Sequence, residues 1–551
     1  MKFTKVMSAA LGAALIVSCS ADKKPLEPTI TSADIGRRIE ALSSDDFKGR
    51  DPGTEGGRLA SQYIADEMKA AGIAPMGKDG TYFQPITLTN TTVVDGSFMS
   101  VGGDDKPDIT YEFQEESVYW TKRYQEKVEV TDADLVFVGY GVVAPEFGWN
   151  DYAGIDVKGK TVVMLVNDPG FATKDENLFN GNAMTYYGRW TYKYEEAARQ
   201  GAAAVLIVHE TKPASYGWNV VSGGWSGGQV DLVRPDGGAS RAALEGWLST
   251  EASRALFARA GLDFDAQKTA AATKGFTPVP MGELKLNAKI NNEISTVKSR
   301  NVVGVIKGTT YPDEYVLYMG HWDHLGEKPV EAGEDGIYNG AVDNATGTAS
   351  ILEIGEAFAV KPAQRSVLIL AVTAEESGLL GSTYFAEDPI VPLSSIVAGI
   401  NIDGMLPLGR TKDMVVVGYG TSELDGRLKT ILDTKNMYIT PDPKPEAGYY
   451  YRSDHISLAK KGVPMIYADA GIDHEVQGKA YGESFGDEYT KERYHDPSDE
   501  YDDSWDLSGI EQVDQVFYEL GFALANSQDW PNWNGGAEFR ALRDAMRAEN
   551  N

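Results

Sequence analysis

From Asn301 onward, short apolar runs alternate with helix-length amphipathic segments, and this alternation leaves the chain few folds to choose from. Residues 301–306, 315–319, 366–372, 396–402, 414–417 and 464–467 read as strands. Residues 346–360, 422–436, 455–461 and 509–525 read as helices. Strands separated by helices return to a sheet in the same direction. The expected fold is therefore α/β, a mixed, mainly parallel sheet flanked by helices.

Upstream the texture differs. Residues 35–72 carry a helical pattern, Ile39 and Leu42, then Leu59, Tyr63, Ile64 and Met68, ended by Gly72. Gly49-Arg50-Asp51-Pro52-Gly53 reads as a loop between the two helical stretches. Between about 128 and 281, strands such as 134–138, 160–166 and 203–208 are interrupted by glycine- and tryptophan-rich loops, 222–229 among them. This stretch reads as a self-contained α/β or β-rich insert. At 551 residues the chain is long enough for more than one core. The expected division is 32–125 with 290–525 as the main unit, 126–289 as the insert and 526–551 as a tail.

Lys2 and Lys5 precede a short apolar stretch, 6–17, as in a cleavable signal segment covering residues 1–18. Ile16-Val17-Ser18-Cys19 resembles the bacterial lipobox, in which the cysteine is lipidated and becomes the mature N-terminus. Ser20 in the next position resembles the version sorted to an outer membrane in Gram-negative cells. Residues 19–31, polar and Pro-containing, then form a tether. Cys19 is the only cysteine, so the body has no internal disulfides. No later apolar run approaches the roughly 20 residues of a membrane span, and any membrane contact is expected through the lipid alone. With 51 Lys and Arg against 81 Asp and Glu, the net charge of -30 disfavours nucleic acid and anionic surfaces as partners.

The chemistry lies at the predicted strand ends. His321 follows strand 315–319, Glu375 and Glu376 follow 366–372, and Asp403 follows 396–402. Open α/β sheets bind ligands at the carboxyl ends of their strands. Imidazole with carboxylate is a donor set that zinc accepts. Two metals need a shared anionic bridge, and Asp343, in a loop that leads into a helix, is well placed to be one. In the pair Glu375-Glu376 one carboxylate can bind metal while its neighbour handles protons. Asp323 can orient His321 through the far ring nitrogen.

His321-Trp322-Asp323, Asp343-Asn344-Ala345-Thr346-Gly347, Glu375-Glu376-Ser377-Gly378-Leu379-Leu380-Gly381-Ser382, Asn401-Ile402-Asp403 and Tyr494-His495 resemble, in order and approximate spacing, the co-catalytic zinc aminopeptidase and glutamate carboxypeptidase family. The insert resembles the protease-associated domain, expected to be β-rich, that many members carry. The resemblance implies two zinc ions: Asp343 as the bridge, His321 and Asp403 on one metal, Glu376 and His495 on the other. It also implies Glu375 as general base and Tyr494 as a donor to the tetrahedral oxyanion. The activity it implies is hydrolysis of peptides, with release of N-terminal residues.

Alternatives stay open at this level. Tyr449, Tyr450 and Tyr451 rival Tyr494 as donors; His455 reads as structural or pocket-lining, and His324 and His474 are unassigned. The acidic run 496–506 reads as a solvated loop, with calcium as the ligand it would otherwise hold. A carboxypeptidase or dipeptidase acting on acidic substrates would need basic residues in the pocket, and Arg452 is the nearest candidate. A receptor-like binding protein on the same fold would show eroded ligands, which this chain does not. A single-zinc acyltransferase of the glutaminyl-cyclase type would lack the second ligand set.

Overall fold

The computed structural model describes residues 28–103 and 106–549. The signal segment, Cys19 and residues 19–27 of the tether lie outside them.

The main sheet forms where the alternation predicts it. Arg365–Val372, Tyr311–His321, Ile396–Asn401 and Met465–Ala470 run side by side and parallel. Antiparallel strands flank this centre: Val279–Ile306 beside Arg365–Val372, and Asp413–Val417 beside Met465–Ala470. Because successive side chains of a strand point to opposite faces, each central strand feeds two apolar layers. Val316 and Tyr318 join Ile369, Ala371 and Ile400 under the helices Ser32–Leu42, Glu55–Ala70, Gly347–Val360 and Ser508–Ala525. Leu317 and Met319 join Leu368, Leu370 and Val372 on the other face, against Phe385, Ile456, Leu458 and Trp533. Strands buried on both faces explain the continuous apolar runs.

A second sheet has its own core. Lys127–Phe137, Thr161–Leu165, Ala204–Val208 and Leu244–Leu248 are its parallel centre, with the helices Trp190–Arg199, Thr250–Arg259 and Phe264–Ala271 around it. It starts earlier than residue 126: Phe98–Gly103 and Ser117–Trp120 pair within it. The helices and parallel centre make this unit α/β in character. The two sheets are joined by Val279–Ile306, a strand of 28 residues that pairs with Lys127–Phe137 in its first half and with Phe83–Val93 in its second. The expected boundary at 289/290 falls inside it. Leu284, Leu286, Ala288 and Ile290 are buried at every second position, a period-two signal already present in the sequence.

The described part of the C-terminal stretch, 526–549, packs against the main sheet. Trp533 is fully buried and donates from Nε1 to the Gly462 carbonyl at 3.1 Å. Arg543, on the helix Arg540–Glu549, donates to the carbonyls of Ile396 and Val397 at the start of a central strand.

Candidate metal centre

His321 is the last residue of its strand, and Glu375 and Asp403 lie just past the ends of theirs. Parallel strands put these ends on one edge. Asp343 lies in the turn Ala341–Thr346 that opens the helix Gly347–Val360. His495 follows the helix Lys479–Glu492, its backbone in the left-handed region.

These side chains converge. His321 Nε2 is 3.2 Å from Asp343 Oδ1 and 3.1 Å from Asp403 Oδ1. His495 Nε2 is 3.2 Å from Asp343 Oδ2 and 3.2 Å from Glu376 Oε2. Asp343 therefore presents one oxygen to each histidine, between the two groups. Asp323 lies beneath His321: its backbone oxygen is 3.2 Å from Nδ1 and its Oδ1 is 3.9 Å away. The same Oδ1 accepts the backbone N–H of Glu375 at 3.1 Å, tying two strand ends together. Tyr494 stacks on His495 with ring centroids 3.9 Å apart and is half exposed.

Sequence reasoning left His324 unassigned and missed Ser453, Arg50 and Asp499 as contributors. His324 is buried with Nδ1 2.7 Å from Glu376 Oε1, and His324, Asp343 and Glu376 form a group able to hold a cation, as do His321, Asp343 and Asp403. Neither group draws on residues 496–506. Gly340 must be glycine at this point, because a Cβ there would fall within 2.6 Å of the His324 ring. Ser453 donates to Asp403 Oδ2 at 2.5 Å while accepting from Asn401 Nδ2 at 2.7 Å. Arg50, fully buried, donates to the carbonyls of Trp322, Leu42, Asn339 and Gly340, clamping both ligand-bearing loops. Asp499, in the acidic run, is buried and accepts the backbone N–H groups of Val342 and Asp343. A lone arginine or aspartate in a loop carries no pattern that reports these partners.

The electrostatics follow from packing carboxylates together. Burial opposes a charged His321, yet Asp403 and Asp343 hold its pKa well above the ordinary value. His495 is raised to about 10 by Asp343 and Glu376 against burial. Burial would raise Asp343 too, but the two histidines hold it well below the usual carboxylate range. Glu375 behaves oppositely: burial, with Glu376 and Asp403 nearby, pushes it well above that range. Asp323 is pushed up to about 8, mainly by burial.

The cluster thus draws positive charge to its centre. Among the described residues, His495 Nε2, both His324 nitrogens and Glu376 Oε1 are buried without a well-directed hydrogen bond, although carboxylate and imidazole are within contact distance. Donor atoms aimed at a common point rather than at one another suit a shared cation, and imidazole with carboxylate suits zinc.

An α/β sheet bearing such a cluster at its strand ends has the layout of a metallohydrolase. Residues 301–520 match the family model described as Peptidase family M28, and this part of the chain is a peptidase M28 domain. Among curated relatives, the mouse protein named "Aminopeptidase NAALADL1" is 34% identical over 140 residues, 23% of this chain and 17% of that one. The Arabidopsis thaliana protein named "Probable glutamate carboxypeptidase AMP1" is 27% identical over 224 residues, 36% of this chain and 28% of that one. The chain spans less than a third of the length of these relatives. Among solved structures, the aminopeptidase from Aneurinibacillus sp. strain AM-1 aligns over 91% of this chain and 95% of its own, at 19% identity and a TM-score of 0.49.

Proposed function

We propose that this chain is a zinc-dependent exopeptidase that releases N-terminal residues from peptides. The observation that carries this reading is the convergence of His321, Asp343, Glu376, Asp403 and His495, with Glu375 lining the same cavity as Glu376. These side chains would hold two zinc ions, Asp343 bridging, with His324 close enough to Glu376 to join or support the second. Bound there, zinc would supply Lewis acidity, making a water more acidic and polarising the scissile carbonyl. Glu375 accepts a proton from the attacking water on its carboxylate and returns it to the nitrogen of the leaving amine. Tyr494 donates its hydroxyl hydrogen to the developing oxyanion. Asp323 orients His321.

The second sheet, read as a protease-associated domain, walls the cavity above the centre. The export segment and Cys19 would place the enzyme on a bacterial outer membrane through lipid; among the described residues, no helix is long and apolar enough to cross a membrane. A carboxypeptidase or dipeptidase acting on acidic substrates would instead need basic residues at the site, and Arg452 lines the cavity beside Glu375. The deciding experiment pairs elemental analysis with hydrolysis of aminoacyl chromogenic substrates, with and without chelator, beside N-blocked peptides. Chelator-sensitive cleavage of free-amine substrates alone is expected. Efficient cleavage of blocked peptides would remove the aminopeptidase assignment.

A further inference from the structure

The second unit sends one strand out of its own sheet. The chain leaves that sheet after Ala204–Val208 and returns to it at Leu244–Leu248. Between them, Gln229–Leu232 pairs antiparallel with Phe83–Val93 of the main sheet, which sets Leu232 opposite Leu88. An unpaired edge strand exposes its N–H and C=O groups, so the pairing by itself is edge cover. What the strand packs against goes further. Leu232 is buried in a small apolar cluster with Ile86, Leu88, Ala374 and Leu380, and the half-buried Val230 packs onto it. Ala374 and Leu380 flank the turn that carries Glu375 and Glu376.

That turn needs support. Ala374 has a φ of 54°, in the left-handed region that a residue with a Cβ rarely adopts. Such a conformation persists where the surroundings over-determine it, and Glu375 is the next residue. Polar contacts from the peptidase unit hold one side. Buried Asn301 accepts the Thr373 N–H at 3.1 Å and donates to the Gly381 carbonyl at 2.9 Å, and the Ala374 carbonyl accepts the Leu380 N–H at 3.0 Å. The apolar side rests on the cluster to which the second unit contributes Leu232. The strand is itself anchored. Buried Asp231 accepts from Arg234 at 2.8 Å, with Lys122 3.5 Å away, and the Val233 N–H donates to the Thr87 carbonyl at 3.1 Å. Because Val279–Ile306 runs unbroken through both sheets, the strand and the turn share one frame.

We propose that Leu232 is a positioning residue: the strand Gln229–Leu232 braces the turn 373–381 from the second unit and, through it, sets where the Glu375 carboxylate stands. The proposal rests on the reading of Glu375 as general base. Truncating Leu232 leaves Ala374 without part of its apolar wall, and the turn relaxes into the space. Misplacing a catalytic group by about 1 Å can cost a reaction about 100-fold. A second unit that only screened substrates would act on KM, whereas one that braces the base acts on kcat.

The test uses the zinc-loaded protein and its L232A, milder L232V and conservative L232M variants, with E375Q and the double variant L232A/E375Q. V163A, which opens the second unit's own core, controls for general loosening. Hydrogen exchange is read first, on peptides covering 373–381, 311–321 and 204–208. L232A is expected to speed exchange in 373–381 roughly tenfold, L232V less, and L232M hardly at all. Unchanged exchange in 311–321 and 204–208 shows that both sheets stand; if L232A does not fold, L232V carries the comparison. Unaltered exchange in 373–381 overturns the proposal, whatever the activity. Hydrolysis of leucine p-nitroanilide then reads the consequence. L232A should lower kcat roughly tenfold with KM and zinc stoichiometry nearly constant, L232M should restore it, and V163A should stay within about twofold of wild type. On the E375Q background L232A should change the remaining rate by less than about twofold, because the group it positions is gone. An equal fall on both backgrounds, or a change confined to KM, overturns the proposal. If E375Q is as fast as wild type while L232A still loosens the turn, the general-base reading fails and the brace survives.

Discussion

Asp499 Oδ2 accepts the backbone N–H of Asp343 at 3.1 Å, so a buried carboxylate outside the proposed ligand set fixes the turn that carries Asp343. Its Oδ1 takes the neighbouring N–H of Val342 at 3.0 Å, and the Tyr489 hydroxyl donates to Oδ2 at 3.2 Å. Both carboxylate oxygens are thus committed to holding Asp343 in place.

Asp499→Asn replaces one acceptor with a donor facing a backbone N–H. Loss of supporting groups of this kind costs roughly 10- to 100-fold in metal affinity. Zinc titration against a competing chelator should show a loss of that size, with activity restored at high zinc. An unchanged affinity would remove Asp499 from the supporting shell.

Glu375→Gln should keep both metals and lose turnover. General bases contribute on the order of 10² to 10⁴ in rate, and Glu375 makes no contact assigned to metal holding. The fall should appear in kcat at constant zinc stoichiometry. Loss of zinc in this variant would mean that the roles of Glu375 and Glu376 are exchanged.

His321→Ala should act on the metal itself. His321 faces both Asp343 and Asp403, so its removal opens one of the two cation-holding groups and leaves the other. Elemental analysis is expected to show about half the zinc of wild type. A full complement would contradict the ligand assignment. Chelation of the wild-type enzyme should abolish activity and zinc should restore it.

Much of this was legible beforehand because strand ends are set by apolar runs. Tyr311–His321, Arg365–Val372 and Ile396–Asn401 form where the sequence predicts, so the residues just beyond them could only share an edge. The bounds of the second unit were less legible: Ser117–Trp120 joins its sheet through Leu244–Leu248, and Phe98–Gly103 through Val279–Ile306, each more than a hundred residues away. Arg50 shows the limit most clearly. In sequence it is one residue of a Gly-Pro loop. In the fold its guanidinium satisfies carbonyls on three separate segments, and burial lowers its pKa to about 10. Nothing local signals partners that arrive from residues 322 and 340.

His455 gives the pH dependence of stability a definite sign. The imidazole is fully buried, its ring centroid 4.7 Å from that of Tyr450 and 5.1 Å from that of Tyr467. Burial lowers its pKa to about 3, with only weak opposition from a backbone contact of Tyr450. An exposed histidine in the unfolded chain titrates near 6.5. Between these values the unfolded state binds the extra proton, so stability falls as pH drops from 6.5 toward 3, by up to about 1.4 kcal/mol per unit. Above 6.5 the residue is neutral in both states and contributes no slope. His455→Phe keeps an aromatic ring of similar breadth and removes the proton site. Thermal unfolding measured from pH 7.5 to 4.5 should therefore show a shallower acid-side fall in Tm for the variant, whatever its absolute Tm at neutral pH. Parallel curves would mean that His455 takes up its proton inside the folded protein, and with it that the pocket between Tyr450 and Tyr467 admits water.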